Sequence, residues 1–448
     1  MSRTTIAAVA TATGVGSIAI IRVSGKDALK ISKNLLPKDT TLTNRYAKLV
    51  SIYNKESKLI DRAIVIYYKA PKSFTGEDIV EFQCHGGMVI AQEILDTLLY
   101  FGAKLAKPGE FSQRAFLNGK IDLTEAEAIA KMIETKSVDG AKILARQLKG
   151  ELREFIDSCR NSLISLLAHS EVMIDYAEED IPDDLLQNLQ QTLDNLKSEL
   201  EHIVKTSIRR KGVIEGFWLA IVGKPNVGKS SILNKMLNYD RAIVSDIAGT
   251  TRDTIEEQIK IGSHIVRVAD TAGIRDANDI IEKLGVERSI KWLEEADIVV
   301  AVFDASKLLD SEDEKVLDLL KSTKDTKVII VLNKIDKDSI LNEDIFKPFT
   351  VVKISAKESV EPLIEKIEEI LNSISKIDEL MLVSNRQIES VKKALQEIEL
   401  SKEPLLNNEL EFFSYHINSA IEALNEITRP YRHEELLDKM FSEFCLGK

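Results

Sequence analysis

The 448-residue sequence predicts a multidomain chain of α/β and α parts: an N-terminal α+β domain, a central helical bundle, and a P-loop α/β domain inserted into that bundle. Three observations predict it. Strand-length apolar runs alternate with helical stretches over residues 1–120 and again over 216–375. Apolar residues spaced by three and four fill 121–215 and resume in 376–448. Between a strand-like run, Phe217 to Val222, and a helix-like run, Ser231 to Leu237, lies Gly223-Lys-Pro-Asn-Val-Gly-Lys-Ser230. That is the strand–loop–helix setting a phosphate-binding loop requires.

In the N-terminal part, Gly16 to Val23, Ala63 to Tyr68 and Asp78 to Gln83 read as strands and Val89 to Leu99 as a helix. Arg22, Glu81 and Lys120 interrupt this pattern, and on spacing alone they are the outward faces of half-buried strands. Thr124-Glu-Ala-Glu127 offers a capping box for the first bundle helix. A seam follows at Ile156, Cys159, Leu163, Leu166 and Met173, then a stricter one at Leu186, Leu189, Leu193, Leu196, Leu200 and Ile203. Packing inside a bundle is the expected use, with Cys159 in the core, ahead of an intermolecular coiled coil. The acidic stretch Asp175 to Asp184 reads as a solvated loop that could also face a basic partner. Arg209-Arg-Lys-Gly212 reads as a short basic, flexible joint. The seam resumes at Ile388, Val391, Leu395 and Ile398, then Ile417, Ile421, Leu424 and Ile427, then Leu437, Met440 and Phe444, so the α/β domain is read as an insertion.

Within the insertion, Gly223 and Gly228 free the backbone to aim N–H groups at phosphate oxygens, and the helix N-terminus adds its positive dipole end. Lys229 would reach the β/γ-phosphates and the Ser230 hydroxyl a Mg²⁺ ion. Asp270-Thr-Ala-Gly273 follows the run His264 to Ala269, placing a carboxylate at a strand end near that ion. Asn333-Lys-Ile-Asp336 follows Lys327 to Leu332, and its Asp can accept two hydrogen bonds from a guanine edge. Ser355-Ala-Lys357 would close over the base, and Gly249-Thr-Thr-Arg-Asp253 supplies a switch threonine. In this order the motifs resemble the translation-factor-related, Ras-like GTPases. The GTP-binding set is then Asn226, Val227, Gly228, Lys229, Ser230, Ser231; Ser245, Asp246, Ile247, Ala248, Gly249, Thr250, Thr251; Asp270, Thr271, Ala272, Gly273; Asn333, Lys334, Asp336; and Ser355, Ala356, Lys357.

Composition narrows the class. The net charge of −12, with 72 acidic against 60 basic residues, argues against a general nucleic-acid binder, so RNA contact needs a local patch or a basic partner. No run of eighteen apolar residues and no signal-peptide pattern occur, and a cytoplasmic protein without membrane attachment is expected. Cys84, Cys159 and Cys445 are too scattered for a disulfide framework or a zinc site, and the six histidines show no ligand spacing.

Lys107 to Leu123, with Phe74-Thr-Gly-Glu-Asp78 and His85-Gly-Gly87, resembles the N-terminal domain of the MnmE (TrmE) family of tRNA-modifying GTPases. The resemblance covers the whole chain. It implies an aminomethyltransferase-like domain that binds a tetrahydrofolate (a 5,10-methylene or 5-formyl derivative) and forms a homodimer. Arg22, Glu81 and Lys120 would contact the folate, joined by Lys448 from the tail Phe444-Cys-Leu-Gly-Lys448. Cys445 fits a nucleophile, a tRNA contact or a buried thiol equally. The partner implied is the flavoprotein MnmG, bringing FAD and a nicotinamide cofactor, and the product a tRNA wobble uridine carrying an aminomethyl or carboxymethylaminomethyl group at C5.

Two departures from a Ras-like enzyme bear on mechanism. Ile274 stands where a water-orienting glutamine would be. Spacing alone does not choose between Asp279 and Glu282 as its replacement; the resemblance implies Glu282 as the catalytic residue beside Lys229. No arginine finger is obvious, although such a charge contributes about 10³ to 10⁵ in rate. The resemblance implies a K⁺ ion held by Asn226 and by the carbonyls of Ser245, Ile247 and Thr250, with Thr251 on Mg²⁺, and GTPase domains that meet as a dimer. Arg252 is the rival source of charge. A ribosome-assembly GTPase or a dynamin-like membrane GTPase would share these motifs, but no KH-type signal, basic domain or basic membrane tip is present.

Overall fold

The structure, a computed structural model, describes residues 4–12, 14–135, 137–175, 183–239, 257–268, 296–322, 326–375, 379–429, 439–442, 444 and 447. Its contacts divide the chain into two compact units, Met1–Ala130 with Gln147–Asp194 and Glu389–Lys448, and Lys131–Arg146 with Asn195–Ile388.

In the first unit, strands β1 (Ile6–Val9), β2 (Ile18–Ser24), β3 (Lys48–Tyr53), β4 (Leu59–Tyr68), β5 (Ile79–His85) and β6 (Lys104–Leu105) form one sheet in the order β3-β4-β5-β2-β1-β6. All neighbours are antiparallel except β1 and β6. Period-2 alternation sends Ala19, Ile21, Val23, Val80 and Phe82 to one face, where they pack with Ile94 and Leu98 of the helix Met88–Tyr100. The same alternation sends Arg22 and Glu81 to the other face, directly opposite each other in register.

The helix Leu123–Glu134 begins two residues earlier than the capping motif predicts. Asp122 is the cap: its Oδ1 accepts from the Glu125 amide at 2.8 Å, while Glu125 Oε2 accepts from the Asp122 amide at 2.8 Å. Thr124 donates its hydroxyl to Asp122 at 2.7 Å and is itself buried, so it supports the cap and does not form it. Helix Glu151–Asp175 lies antiparallel along helix Leu410–Thr428, tied by Ser170 to Ser414 at 2.8 Å and Arg160 to Asn425 at 3.2 Å. Ile156, Cys159, Leu163, Leu166 and Met173 are buried, as are Ile417, Leu424 and Ile427. Phe441 packs on Leu123 and Ala126, and Gly447 stands against Val9 and Ala10 at the end of β1.

In the second unit, β7 (Phe217–Val222), β8 (Glu257–Ile261), β9 (His264–Val268), β10 (Ile298–Asp304), β11 (Lys327–Asn333) and β12 (Thr350–Ile354) form a sheet in the order β12-β11-β10-β7-β9-β8. Only β8 runs antiparallel to its neighbour. The chain leaves β7 toward β9 on one side and β10 on the other, so its carboxyl end is a switch point, where open α/β sheets bind ligands. The basic stretch before β7 is no flexible joint. Lys211–Glu215 is a short helix, and Arg210 is buried and pairs with Glu379 at 3.0 Å, where the chain returns from the inserted domain. Arg267 of β9 donates to the Glu215 carbonyl, and the Leu382 amide donates to Ser207 at 2.7 Å. Asp297 accepts from the Trp218 amide at 2.8 Å, and burial pushes its carboxyl up to about 6 against the pull of that bond and of Arg267 and Lys211.

Two outcomes follow for stability. Phe413 is fully buried and Phe412 is 63% exposed, so Phe413→Ala should destabilise by about 3–5 kcal/mol. Phe412→Ala should stay within about 0.5 kcal/mol, and chemical denaturation compares the two. For Asp297 the native state binds the proton more tightly than the unfolded chain, so its contribution to stability is full below about pH 4 and lost as pH rises through about 6. Asp297→Asn keeps the acceptor for Trp218 and should gain on wild type by up to about 3 kcal/mol between pH 4 and 7. Melting curves that shift in parallel across that range would rule the assignment out.

Candidate functional site

The loop after β7 is shaped by backbone that only certain residues tolerate. Gly223 has φ of +145° and passes so close to β10 that a Cβ there would stand 2.5 Å from the Val302 carbonyl oxygen. Gly228 has φ of +107° and faces the Asn333 side chain, which a Cβ would overlap. Asn226 takes φ of +64°, left-handed without being glycine. Lys229 opens the helix Lys229–Tyr239 and folds back so that Nζ donates to the carbonyls of Gly223 and Lys224, each at 2.7 Å. Burial lowers its pKa, leaving a poorly hydrated ammonium inside the loop, an environment suited to phosphate. Ser230 and Ser231 lie exposed on the first turn.

The base-recognition motif is bolted to this loop. Asn333, buried at the end of β11, donates from Nδ2 to the Val227 carbonyl at 2.7 Å and accepts at Oδ1 from the Ala356 amide at 2.9 Å. Lys334, at φ of +68°, donates to the Asn226 carbonyl at 2.8 Å and to Asp304 at 2.7 Å. Burial works against the Asp304 charge, but the hydrogen bonds from Lys334 and Ser306 outweigh it and hold its carboxyl below the usual range. Ser355 donates to Asp336 at 2.9 Å, and Asp336 and Lys357 are exposed at the mouth. Three predicted motifs, 223–230, 333–336 and 355–357, therefore share one site at the switch point. Asp304 was not foreseen: a lone Asp closing a buried strand carries no motif.

Ser245, Asp246, Ile247, Ala248, Gly249, Thr250, Thr251, Asp270, Thr271, Ala272, Gly273 and Glu282 lie outside the described residues, as do Arg252, Ile274, Asp279, Cys445 and Lys448.

A second constellation lies on the outward face of the first sheet. Arg22 Nε donates to Glu81 at 2.9 Å, and the guanidinium carbon stands 5.7 Å from the ring centres of both Phe74 and Phe111. Both charged side chains keep partial access to solvent, 21% and 12%. Burial, then the neighbouring Glu81, raises the Tyr68 hydroxyl pKa. Lys120 lays its aliphatic stem on Gly76, whose Cβ would stand 3.0 Å from Lys120 Cε. The loop bearing Phe74 and Gly76 is locked by Glu77, which accepts from Arg114 at 3.0 Å and from Ser24 at 3.0 Å, while Arg114 also binds Glu110 at 2.7 Å. The two longest N-terminal motifs thus hold each other in place.

Compared with known proteins, the chain matches the family described as GTP-binding protein TrmE N-terminus over residues 5–120. It matches the MnmE helical domain family over residues 123–445. It is 59% identical over 444 residues to the tRNA modification GTPase MnmE of a Sulfurovum species, covering 99% of this chain and 98% of that one. Identity to the tRNA modification GTPase MnmE of a Nitratiruptor species is 58% over 448 residues, covering 100% and 99%. A crystal structure of Aquifex aeolicus Era bound to GDP and AlF4⁻ is 29% identical over 41% of this chain and 67% of that one, with a TM-score of 0.27.

Asn333→Ala would strip partners from the buried Val227 carbonyl and Ala356 amide. At about 1–3 kcal/mol for each orphaned group, the folded domain should lose about 2 kcal/mol or more, and the loosened joint should weaken guanine-nucleotide affinity as well. Titration of a fluorescent GDP analogue reads this directly, and an affinity within threefold of wild type would show that the amide is not the joint between the two loops.

Proposed function

The chain belongs to the MnmE family of tRNA modification GTPases, and from that premise we infer a K⁺-stimulated enzyme whose GTPase cycle drives the modification of wobble uridine at C5. It is a GTP-hydrolysing enzyme of tRNA modification. The observation that supports the nucleotide reading is the joint between Asn333 and the loop 223–228, which ties the segment bearing Asp336 to the predicted phosphate loop.

Within that reading each residue has a defined task. Loop amides and Lys229 bind the phosphates, Ser230 and Thr251 hold Mg²⁺, and Asp336 selects guanine. Asn226 suits a K⁺ ligand: its backbone is fixed by Lys334 and its side chain is exposed beside the cradle. Ser245, Ile247 and Thr250 complete that shell, and Glu282 orients the attacking water. A cation bound there supplies the positive charge that an arginine finger supplies elsewhere. We place dimerisation of the GTPase domains under control of this site.

For the one-carbon chemistry, the Arg22–Glu81 pair between Phe74 and Phe111 supports tetrahydrofolate binding. A carboxylate and a guanidinium suit the donor–acceptor edge of a pterin, and flat rings suit its faces. Lys120 and Lys448 would meet the glutamate tail. The neighbour of Lys448, Gly447, stands at the end of β1, where Ala8 lies in register with Arg22. The bound folate supplies a one-carbon unit; these side chains bind and orient it. A homodimer working with the flavoprotein MnmG, which brings FAD, on tRNA completes the proposal. A ribosome-assembly or membrane-remodelling role has no observation in its favour.

GTP hydrolysis in K⁺ against Na⁺, for wild type and Asn226→Ala, tests the central step. Stimulation by K⁺ on the scale of one transition-state charge, about 10² or more, should vanish in the variant. Equal wild-type rates in both salts would shift the missing charge to Arg252 or to a partner.

A further inference from the structure

Lys224 belongs to no recognised role, although it sits second in the phosphate loop. Its Nζ lies 2.7 Å from Asp310 and 2.5 Å from Asp313, in the segment between β10 and the helix Ser311–Ser322. The side chain of Lys224 is 11% exposed and that of Asp313 4%, so this contact is largely out of water. Here a pair held by good geometry persists, and removing one partner leaves a costly buried charge.

The two carboxylates are themselves fixed. Asp310 Oδ1 accepts from the amides of Glu312 and Asp313 at 3.1 Å each, and Asp313 Oδ2 accepts from the Asp310 amide at 3.2 Å. They form the reciprocal cap of a twelve-residue helix and cannot follow the lysine elsewhere. Burial opposes the Lys224 charge, but the bonds to Asp310 and Asp313 outweigh it and raise its pKa, while the Asp310 carboxyl is held at about 2. The contact between Lys224 and Asp310 therefore favours the charged form of each.

What the tie holds is a backbone carbonyl. The Lys224 oxygen is one of the two acceptors, with the Gly223 oxygen, that aim the Lys229 ammonium. Gly223 has no side chain to anchor this turn, so residue 224 is the first point at which the loop can be fastened to the rest of the domain. We propose that Lys224, clamped by Asp310 and Asp313, is a positioning residue for GTP hydrolysis that fixes the orientation of Lys229 toward the transferred phosphate. A misplacement of about 1 Å at such a group can cost on the order of 10² in rate. The ground state needs only the charge of Lys229 nearby, whereas the transition state needs its direction, so the loss should fall on kcat.

The proposal rests on the GTPase reading, and the assay separates the two. Wild-type hydrolysis in K⁺ is measured first; its absence would sink that reading and not the tie alone. Against an active wild type, Lys224→Ala should lose about tenfold or more in kcat while affinity for a fluorescent GTP analogue changes about threefold or less. Lys224→Arg, whose fork can span both carboxylates, should restore kcat to within about threefold. Should Lys224→Ala fail to fold by its melting curve, the double variant Asp310→Asn, Asp313→Asn keeps shape and one oxygen acceptor at each position for the helix cap while removing the charge, and should show the same loss. A wild-type kcat in either variant overturns the proposal, as does a loss that arginine fails to restore.

Discussion

The amide of Asn333 must offer one donor and one acceptor, in one plane, to two loops that come from opposite ends of the inserted domain. Nδ2 takes the Val227 carbonyl and Oδ1 the Ala356 amide, and the side chain is only 2% exposed. An aspartate would lack the donor and bury a charge; a serine would not reach both. The juxtaposition of the segment 333–336 with the loop 223–228 depends on this bridge.

Charge is paired in two ways on the outer face of the first sheet: in a cluster committed to holding a loop, and in a single pair across two strands. Arg114 illustrates the first case. It is 8% exposed, faces both Glu77 and Glu110, and Glu77 also binds Ser24, so the cluster is committed to holding the Phe74–Asp78 loop. Arg22 and Glu81 illustrate the second. One charge meets one charge across a strand pair, with partial exposure and two aromatic rings as neighbours. Both are ion pairs, and the arginine side chain of the second is the more exposed, 21% against 9%.

This division also decides what could be seen in the amino-acid sequence. The phosphate loop was legible because its requirements are local: Gly223, Gly228 and Lys229 act within a few residues of one another, and their torsions follow from residue type. The helix seams were legible for the same reason, since period 3.6 is written in consecutive residues. The capping box was misplaced by two positions because Asp122-Leu-Thr-Glu125 and Thr124-Glu-Ala-Glu127 satisfy the same pattern, and only the burial of Thr124 separates them. Arg209-Arg-Lys-Gly212 looked like a free basic joint because Glu379, which holds Arg210, lies on the far side of the whole insertion. The contacts of Lys224 with Asp310 and Asp313 were hidden likewise: an acidic run at a helix start ordinarily reads as a solvated cap.

The two ends of β7 carry the remaining consequence. At its start, Trp218 is pinned to Asp297, and Glu215 to Arg267; at its end, the loop passes close to β10 at Gly223 and is pinned to β11 through Asn333. The strand between them is six residues, about 20 Å, and lies between β9 and β10 in the sheet. A segment paired on both sides and fixed at both ends cannot lengthen or slide alone. The backbone just before the strand is committed as well: Lys211–Glu215 is helical, and Gly216 has φ of +91°, which a side chain would resist. Those residues face Glu379 and Leu382, where the chain returns, through Arg210 and Ser207. The two crossings are thereby joined to each other as well as to the sheet.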